Sequence, residues 1–212
     1  MQNYFTKLAY QIDEDKSVQL VYNYYESEQK SDLIDVVGSV NTGVKTYAIQ
    51  APEGTSTLGK PQGPNNSNAM LKYTDEALFS NTQLVIDAYA QEVENIFFYS
   101  PTLANQSEGY SGGQSVIKSD KKGLRVTLNS QFEWDSVEAT FIYGVDALND
   151  ITSQPLVDGR LWVPEMDMEN FAGFVQSKWV IEDDLIIKAG IRREEIDLGV
   201  NDYSTLKLCS TP

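Results

Sequence analysis

Apolar and polar residues alternate with a period of two in the C-terminal half of the chain. From Val137 to Asp146 the odd-numbered positions are apolar and the even-numbered ones are polar or small, with Ile142 as the exception. The alternation returns from Leu185 to Arg192, where Ile186 is the exception. Because successive side chains of a strand point to opposite faces, this period predicts β-strands with one apolar and one polar face.

The same signal recurs along the whole chain. Aromatic residues make up 11% of the sequence and include 12 tyrosines, a composition that favours β structure. We predict an all-β chain folded as an antiparallel up-and-down meander of about eight strands. The predicted strands are residues 4–11, 17–25, 67–77, 82–98, 122–132, 137–147, 168–180 and 185–195.

The connections between these strands alternate strictly between short and long. The short ones are 12–16, 79–81, 133–136 and 181–184, and the long ones are 26–66, 99–121 and 148–167. In a meander this order puts every short turn at one end of the sheet and every long loop at the other. A soluble sandwich has no physical reason to sort its loops in this way, whereas a transmembrane β-barrel has short turns on one side and long loops on the other.

Strand length and aromatic positions agree with a barrel. Predicted strands of about 9–12 residues suit a tilted crossing of the bilayer. Aromatic residues cluster at both strand ends, as they do in the two interfacial girdles of membrane barrels. Those beside the short turns are Phe79, Phe132, Trp134 and Trp179, and those at the opposite rim are Tyr24, Tyr25, Phe97, Phe98 and Tyr99.

Composition excludes several classes of function. The net charge is −15, and no basic patch is present to bind a nucleic-acid backbone. The chain has no His and only Cys209, which removes His-dependent catalytic triads, the usual zinc ligands and an internal disulfide. The run Gly109–Gly113 lacks the Lys-Ser/Thr of a phosphate-binding loop and predicts a flexible loop. We predict that the chain is not an enzyme and holds no metal or cofactor.

Three stretches carry a family resemblance. They are GYSGGQSVIKSDKKGLRVTLNS (109–130), YGVDALNDITSQPLVDGRLWVPEMDMENFAGFVQSKW (143–179) and LIIKAGIRREEIDL (185–198). Together they resemble the middle of the barrel of TonB-dependent outer-membrane siderophore receptors, nearest to the branch for ferric hydroxamate-citrate siderophores such as aerobactin. The resemblance covers residues 109–198 well and residues 1–108 only in general pattern.

This resemblance implies a segment of a barrel of about 22 strands in the bacterial outer membrane. The implied partners are membrane lipid, a ferric siderophore as the transported ligand, and the TonB complex, which acts through a plug domain. The chain shows no plug sequence and has room for about eight strands. We therefore expect residues 1–212 to be a partial barrel domain, a fragment of a receptor.

The resemblance also implies roles for particular residues. Long loops of the family capture the ferric chelate, which here implies ligand binding by Arg160, Trp162, Tyr99 and Tyr110. Arg160 would attract an anionic chelate and Trp162 would pack against it; alternatively, these side chains hold an ordered loop together. Polar strand faces would line the barrel lumen, and the residues expected there are Arg125, Asn129, Lys188 and Arg192.

A different class of function also fits the strand pattern. The chain could be a soluble, secreted all-β module that binds a carbohydrate. Detergent dependence separates the two hypotheses, because only a membrane barrel segment needs an apolar environment around its sheet.

Overall fold

The computed structural model describes residues 1–28, 33–34, 49–50, 62–110, 112–182 and 184–201, and almost all of them lie in strands. Two short 3-10 turns, Pro101–Leu103 and Gln106–Glu108, lie between the sixth and seventh strands. No helix in this part of the chain is long and apolar enough to cross a membrane. The strands are β1 (Gln2–Gln11), β2 (Lys16–Glu26), β3 (Leu33–Ile34), β4 (Ile49–Gln50), β5 (Gly63–Phe79), β6 (Thr82–Ser100), β7 (Gly113–Trp134), β8 (Val137–Pro155), β9 (Leu161–Ile181) and β10 (Leu185–Val200).

The eight long strands form one sheet in the order β1-β2-β5-β6-β7-β8-β9-β10. Each pairs with its neighbours in antiparallel fashion. The two-residue strands β3 and β4 pair with each other, and β3 also meets β6 at Ile34 and Tyr99. In the described part, β1 and β10 are hydrogen-bonded on one side only, so the sheet is open. The predicted all-β antiparallel meander is confirmed.

The short connections follow the prediction closely. Two residues join β5 to β6 and two join β7 to β8, at the same end as the turns after β1 and β9. The opposite end, here called the loop end, carries the longer connections. Most of the predicted loop 26–66 lies outside the described residues.

The predicted loops 99–121 and 148–167 are shorter than expected. β6 continues to Ser100 and β7 begins at Gly113, while β8 continues to Pro155 and β9 begins at Leu161. The ladder persists because backbone groups pair whatever the side chains are, so polar sequence remains in strand. Thr152, for instance, still pairs with Met166.

The two faces of the sheet exchange character near the loop end. We call the face that carries Leu128 and Val145 the apolar face, and the face that carries Arg125 and Arg192 the polar face. In β9, Val175 and Trp179 lie on the apolar face, but Asp167 and Glu169 follow on that same face. Met166 and Met168 then lie on the polar face. Because the apolar side chains change face, a search of the sequence for one regular period of two misses the outer third of β9.

Packed aromatic rings cover the apolar face beside the short turns. Trp134 stacks on Trp179 with ring centroids 6.3 Å apart, and Phe132 stacks on Trp134 at 5.7 Å. Phe141 meets Phe132 and Trp179 edge-on at 5.9 and 5.3 Å. Ala139 pairs with Phe132 and Trp179 and is only 1% exposed. The rings therefore form a continuous surface that depends on a small residue beneath it.

Replacing Ala139 with Leu tests this packing. The added carbons push against the rings of Phe132 and Trp179, and overpacking of this kind costs about 1–3 kcal/mol. We expect lower stability and altered tryptophan emission when unfolding is followed by fluorescence. Ala90→Leu adds the same atoms at an exposed position of the same face in β6 and should change neither. Equal effects of the two substitutions would contradict the packing described here.

Candidate functional site

The four residues predicted to line a lumen share the polar face. The β7 residue Arg125 pairs with Asp146 of β8, which in turn pairs with Ala172 of β9, and Ala172 pairs with Glu194 of β10. Arg192 lies on the same side of the sheet, beside Glu194 along β10. Asn129 of β7 and Lys188 of β10 lie on that side too, closer to the short turns. The structure thus places these residues together on one face; lining a lumen stays a prediction.

An ionic network spans four strands of the polar face, from β7 to β10. Arg192 Nη1 lies 2.8 Å from Asp146 Oδ2, and Arg125 Nη2 lies 3.5 Å from the same oxygen. Arg192 Nη2 also binds Glu194 Oε1 at 3.0 Å, and Asn170 donates to that oxygen at 2.7 Å. Arg192 reaches across β9 because the side chain in between belongs to Ala172, which is 1% exposed. A small residue thus lets a cation from one strand share a carboxylate two strands away.

The polar face also carries a basic hollow near the short turns. Lys188 pairs directly with Lys178, and neither lysine forms an ion pair with a described acidic residue. Arg125, Lys178, Lys188 and Arg192 line this hollow of about 820 Å³, and no acidic residue lines it. In a chain with 31 acidic and 16 basic residues, that composition is unusual. Because Arg125 and Arg192 already share Asp146, the two lysines supply the positive charge that attracts anions to this surface.

Three of the four predicted ligand-binding residues meet at Gly112 and Gly113, at the loop end. Arg160 Nη2 donates to the carbonyl of Gly112 at 2.7 Å. The ring of Tyr110 lies under the guanidinium, with Arg160 Cζ 3.9 Å from its centroid. Tyr99 packs across Gly112, where a Cβ atom would come within 2.5 Å of the Tyr99 hydroxyl. Trp162 stands outside this cluster and is 47% exposed.

Arg160 is buried and fully engaged with the protein. Its side chain is 7% exposed and lies 2.7 Å from Asp158 Oδ2. Nη1 donates to the carbonyl of Leu103 at 2.8 Å, and Nε donates to the Asp158 carboxylate. Partial burial raises the pKa of the Asp158 carboxyl, but the hydrogen bonds from Arg160 outweigh it, so the pKa lies below its ordinary value. The Asp158 carboxylate therefore stays charged at neutral pH. Binding of a ligand by Arg160, Trp162, Tyr99 or Tyr110 stays a prediction.

The sequence did not reveal the surroundings of this cluster. Gly112 and Gly113 are buried, so the prediction of a flexible loop over Gly109–Gly113 is wrong for these two residues. Leu103 and Leu156, at 7% and 2% exposure, complete the packing around Gly113. The Gly-Gly pair was the available signal, since paired glycines also permit a close approach of another segment.

No group of acidic or cysteine side chains in the described residues is arranged to hold a metal ion.

No family model matches the chain. Curated proteins do match it. It is 25% identical over 218 residues to the ferric aerobactin receptors of Escherichia coli and of Klebsiella pneumoniae, covering 91% of this chain and 28% of each receptor. It is 26% identical over 217 residues to the rhizobactin receptor of Rhizobium meliloti, covering 92% of this chain and 28% of that receptor.

The chain is similar to a segment of the siderophore receptors. This confirms the family resemblance predicted from residues 109–198. A solved structure agrees in fold: BauA, the ferric preacinetobactin receptor from Acinetobacter baumannii, superposes with a TM-score of 0.60 at 10% identity. The match covers 93% of this chain and 34% of BauA. The chain thus spans less than a third of the length of the curated siderophore receptors that it matches.

Replacing Gly113 with Ala tests the packing at the loop end. The new Cβ atom would lie 2.7 Å from Arg160 Nη2, 3.2 Å from Leu103 Cβ and 3.3 Å from Leu156 Cδ1. We expect a loss of about 1–3 kcal/mol from overpacking, measured by denaturant unfolding. Gly199→Ala is the control, because its Cβ would find only an ordinary contact at 3.8 Å. If Gly113→Ala were as stable as the control, the site would have space for the added carbon and the tight packing described here would be contradicted.

Proposed function

We propose that the chain is a β-barrel segment of a bacterial outer-membrane receptor that takes up ferric siderophores, with energy supplied through the TonB complex. The observation that carries this proposal is a single open sheet with one apolar and one polar face. Its curated relatives are named as receptors for ferric aerobactin and for rhizobactin. The role proposed for the chain is capture and passage of a ligand, without enzymatic activity.

The apolar face supports lipid as a partner. The register aligns Leu8, Leu20, Leu71, Ala88, Leu124, Ala147 and Phe171 in one row across seven strands. Leu8 is 60% exposed and Phe171 is 56% exposed, because no second layer of the described chain covers them. Exposed apolar area in water costs about 25 cal/mol per Å², and the hydrocarbon of a bilayer removes this cost.

The same observation argues against a soluble carbohydrate-binding sandwich. A sandwich buries the apolar faces of two sheets against each other. The described strands form one sheet, and the buried apolar residues of the described chain are Leu103, Val116, Ala139, Leu156 and Ala172. These are too few and too scattered to make the core of a sandwich.

The ligand proposal rests on the loop end and on the polar face. Trp162 offers an exposed aromatic surface at the top of β9. The basic hollow on the polar face suits passage of an anionic ferric chelate or contact with acidic groups of a plug. We propose a ferric hydroxamate-citrate chelate, such as ferric aerobactin, as the ligand class.

Substituting lysine at each of two adjacent positions tests whether the apolar face of the sheet lies against lipid. Leu128 lies in the middle of the apolar face, and Thr127 points to the polar face. A lysine on the lipid side of a barrel costs about 2–4 kcal/mol near the bilayer centre, while a polar lumen tolerates it. We therefore expect Leu128→Lys, and not Thr127→Lys, to impair refolding of the full chain in detergent or lipid vesicles. A stable monomer of the unmodified chain in water without detergent would contradict the proposal.

Ligand capture is tested by tryptophan fluorescence of the refolded chain. Ferric aerobactin should quench the emission of Trp162 at concentrations where the iron-free siderophore does not. Trp162→Phe should abolish the saturable part of this quenching, and Trp134→Phe should keep it, because Trp134 lies in the aromatic cluster at the opposite end of the sheet. Quenching that never saturates, or that survives in Trp162→Phe, would refute ligand binding at the loop end.

A further inference from the structure

The Arg160 guanidinium is held by this chain at all three nitrogens and on one flat side. Each of its three nitrogens donates to a protein oxygen: Nε to Asp158, Nη1 to the Leu103 carbonyl, and Nη2 to both Asp158 and the Gly112 carbonyl. One flat side lies over the Tyr110 ring at 3.9 Å. With 7% of the side chain exposed, little of its surface is left for a chelate to dock on.

The partners of Arg160 belong to two different connections. Leu103 and Gly112 lie near the two ends of the segment that joins β6 to β7, while Asp158 and Arg160 lie in the turn that joins β8 to β9. The backbone N–H of Val157 also donates to the carbonyl of Gln114 at 2.8 Å. One side chain therefore bridges the tops of two neighbouring hairpins.

We propose that Arg160 is a positioning residue that clamps these two connections into one rigid rim. It holds residues 101–110 and Gly112 against the β8–β9 turn and fixes the half-buried Tyr110 ring, and ligand contact falls to the exposed Trp162. The clamp itself follows from the contacts alone. Its consequence for ligand affinity rests on the proposed function.

The geometry requires arginine. The planar fork of a guanidinium donates in several directions at once and stacks on an aromatic ring, whereas a lysine ammonium is a single point charge on a flexible stem. At this site the two carbonyls and the carboxylate are reached from three different nitrogens. Lysine would keep the charge and lose most of the bridge.

Hydrogen exchange of the refolded full chain tests the clamp without any ligand. We expect Arg160→Lys and Arg160→Gln to raise the exchange rates of amides in segment 101–114 by about 10-fold or more, since each 1.4 kcal/mol of lost local stability is a factor of ten. Gly113→Ala, which displaces the guanidinium without removing it, should act in the same direction. Unchanged protection in both Arg160 variants would overturn the proposal.

A matched control separates the clamp from general damage. Arg193→Lys makes the same substitution on an exposed residue of β10, far from segment 101–114, and should leave its exchange unchanged. Stacking of Trp134 on Trp179 reports the rest of the sheet through fluorescence. Loss of that signal in Arg160→Lys would show collapse of the whole fold and would count against a local clamp.

The pH profile gives a readout that a simple packing role would not move. Because the pKa of Asp158 is lowered in the folded chain, its contribution is complete above the unfolded value of about 3.8 and is lost as the pH falls through the folded pKa. Protection of segment 101–114 should fall in that acidic range. Arg160 faces Asp158 directly, and the facing connection also carries Tyr110 and Glu108. Asp158→Asn should remove the acid-dependent step, and a step that persists would assign it to another group.

Ligand titration then separates positioning from contact. If Arg160 positions the rim, loss of ferric aerobactin affinity in the Arg160 and Gly113→Ala variants should track loss of exchange protection. If Arg160 contacts the chelate, Arg160→Gln, which removes the charge, should lose more affinity than Gly113→Ala, which keeps the guanidinium, at equal loss of exchange protection. Absence of chelate binding in the unmodified chain would refute the proposed function and would leave the exchange result on the clamp standing.

Discussion

The register of the antiparallel ladders governs everything else in this structure. Because side chains alternate with a period of two, a slip of one residue between any two strands would move apolar side chains onto the polar face. The observed pairing keeps leucines and aromatic residues in rows across the sheet and Arg125, Asp146 and Arg192 on the reverse side. A single layer of strands therefore presents two chemically different surfaces, and the proposed placement between lipid and water rests on this division.

Small residues determine which distant groups the charged side chains of this sheet can reach. Ala172 lets Arg192 cross β9 to reach Asp146, and Gly112 and Gly113 let Arg160 approach the backbone of a neighbouring hairpin. Both arrangements join elements that are distant in sequence. In each case one arginine serves several oxygens, which suits the geometry of its guanidinium. The sheet is thus reinforced at two levels, in the middle of the polar face and at the loop end.

The strands and the short turns could be predicted because their signal is local. Trp134 and Val137 flank a two-residue turn, and an alternation with Ser130 and Ile142 as exceptions runs away from it in both directions. The strand ends near the loops could not be predicted in the same way. Beyond Asn170 the polar and apolar faces exchange, so Asp167 suggests a loop although it continues the ladder opposite Ile151. Periodicity detects a constant environment, and these strands pass from one environment into another.

The sequence by itself determined the strand-forming alternation, the sorting of short and long connections, the family resemblance and the absence of histidine chemistry. Each of these depends only on neighbouring residues or on composition. Only the tertiary structure decided that Arg160, Tyr110 and Tyr99 meet at Gly112 while Trp162 stays exposed. The reason is physical. The hydrogen bond from Arg160 to the Leu103 carbonyl spans 57 positions of the sequence, and the period of a strand does not predict which distant carbonyl a buried guanidinium contacts.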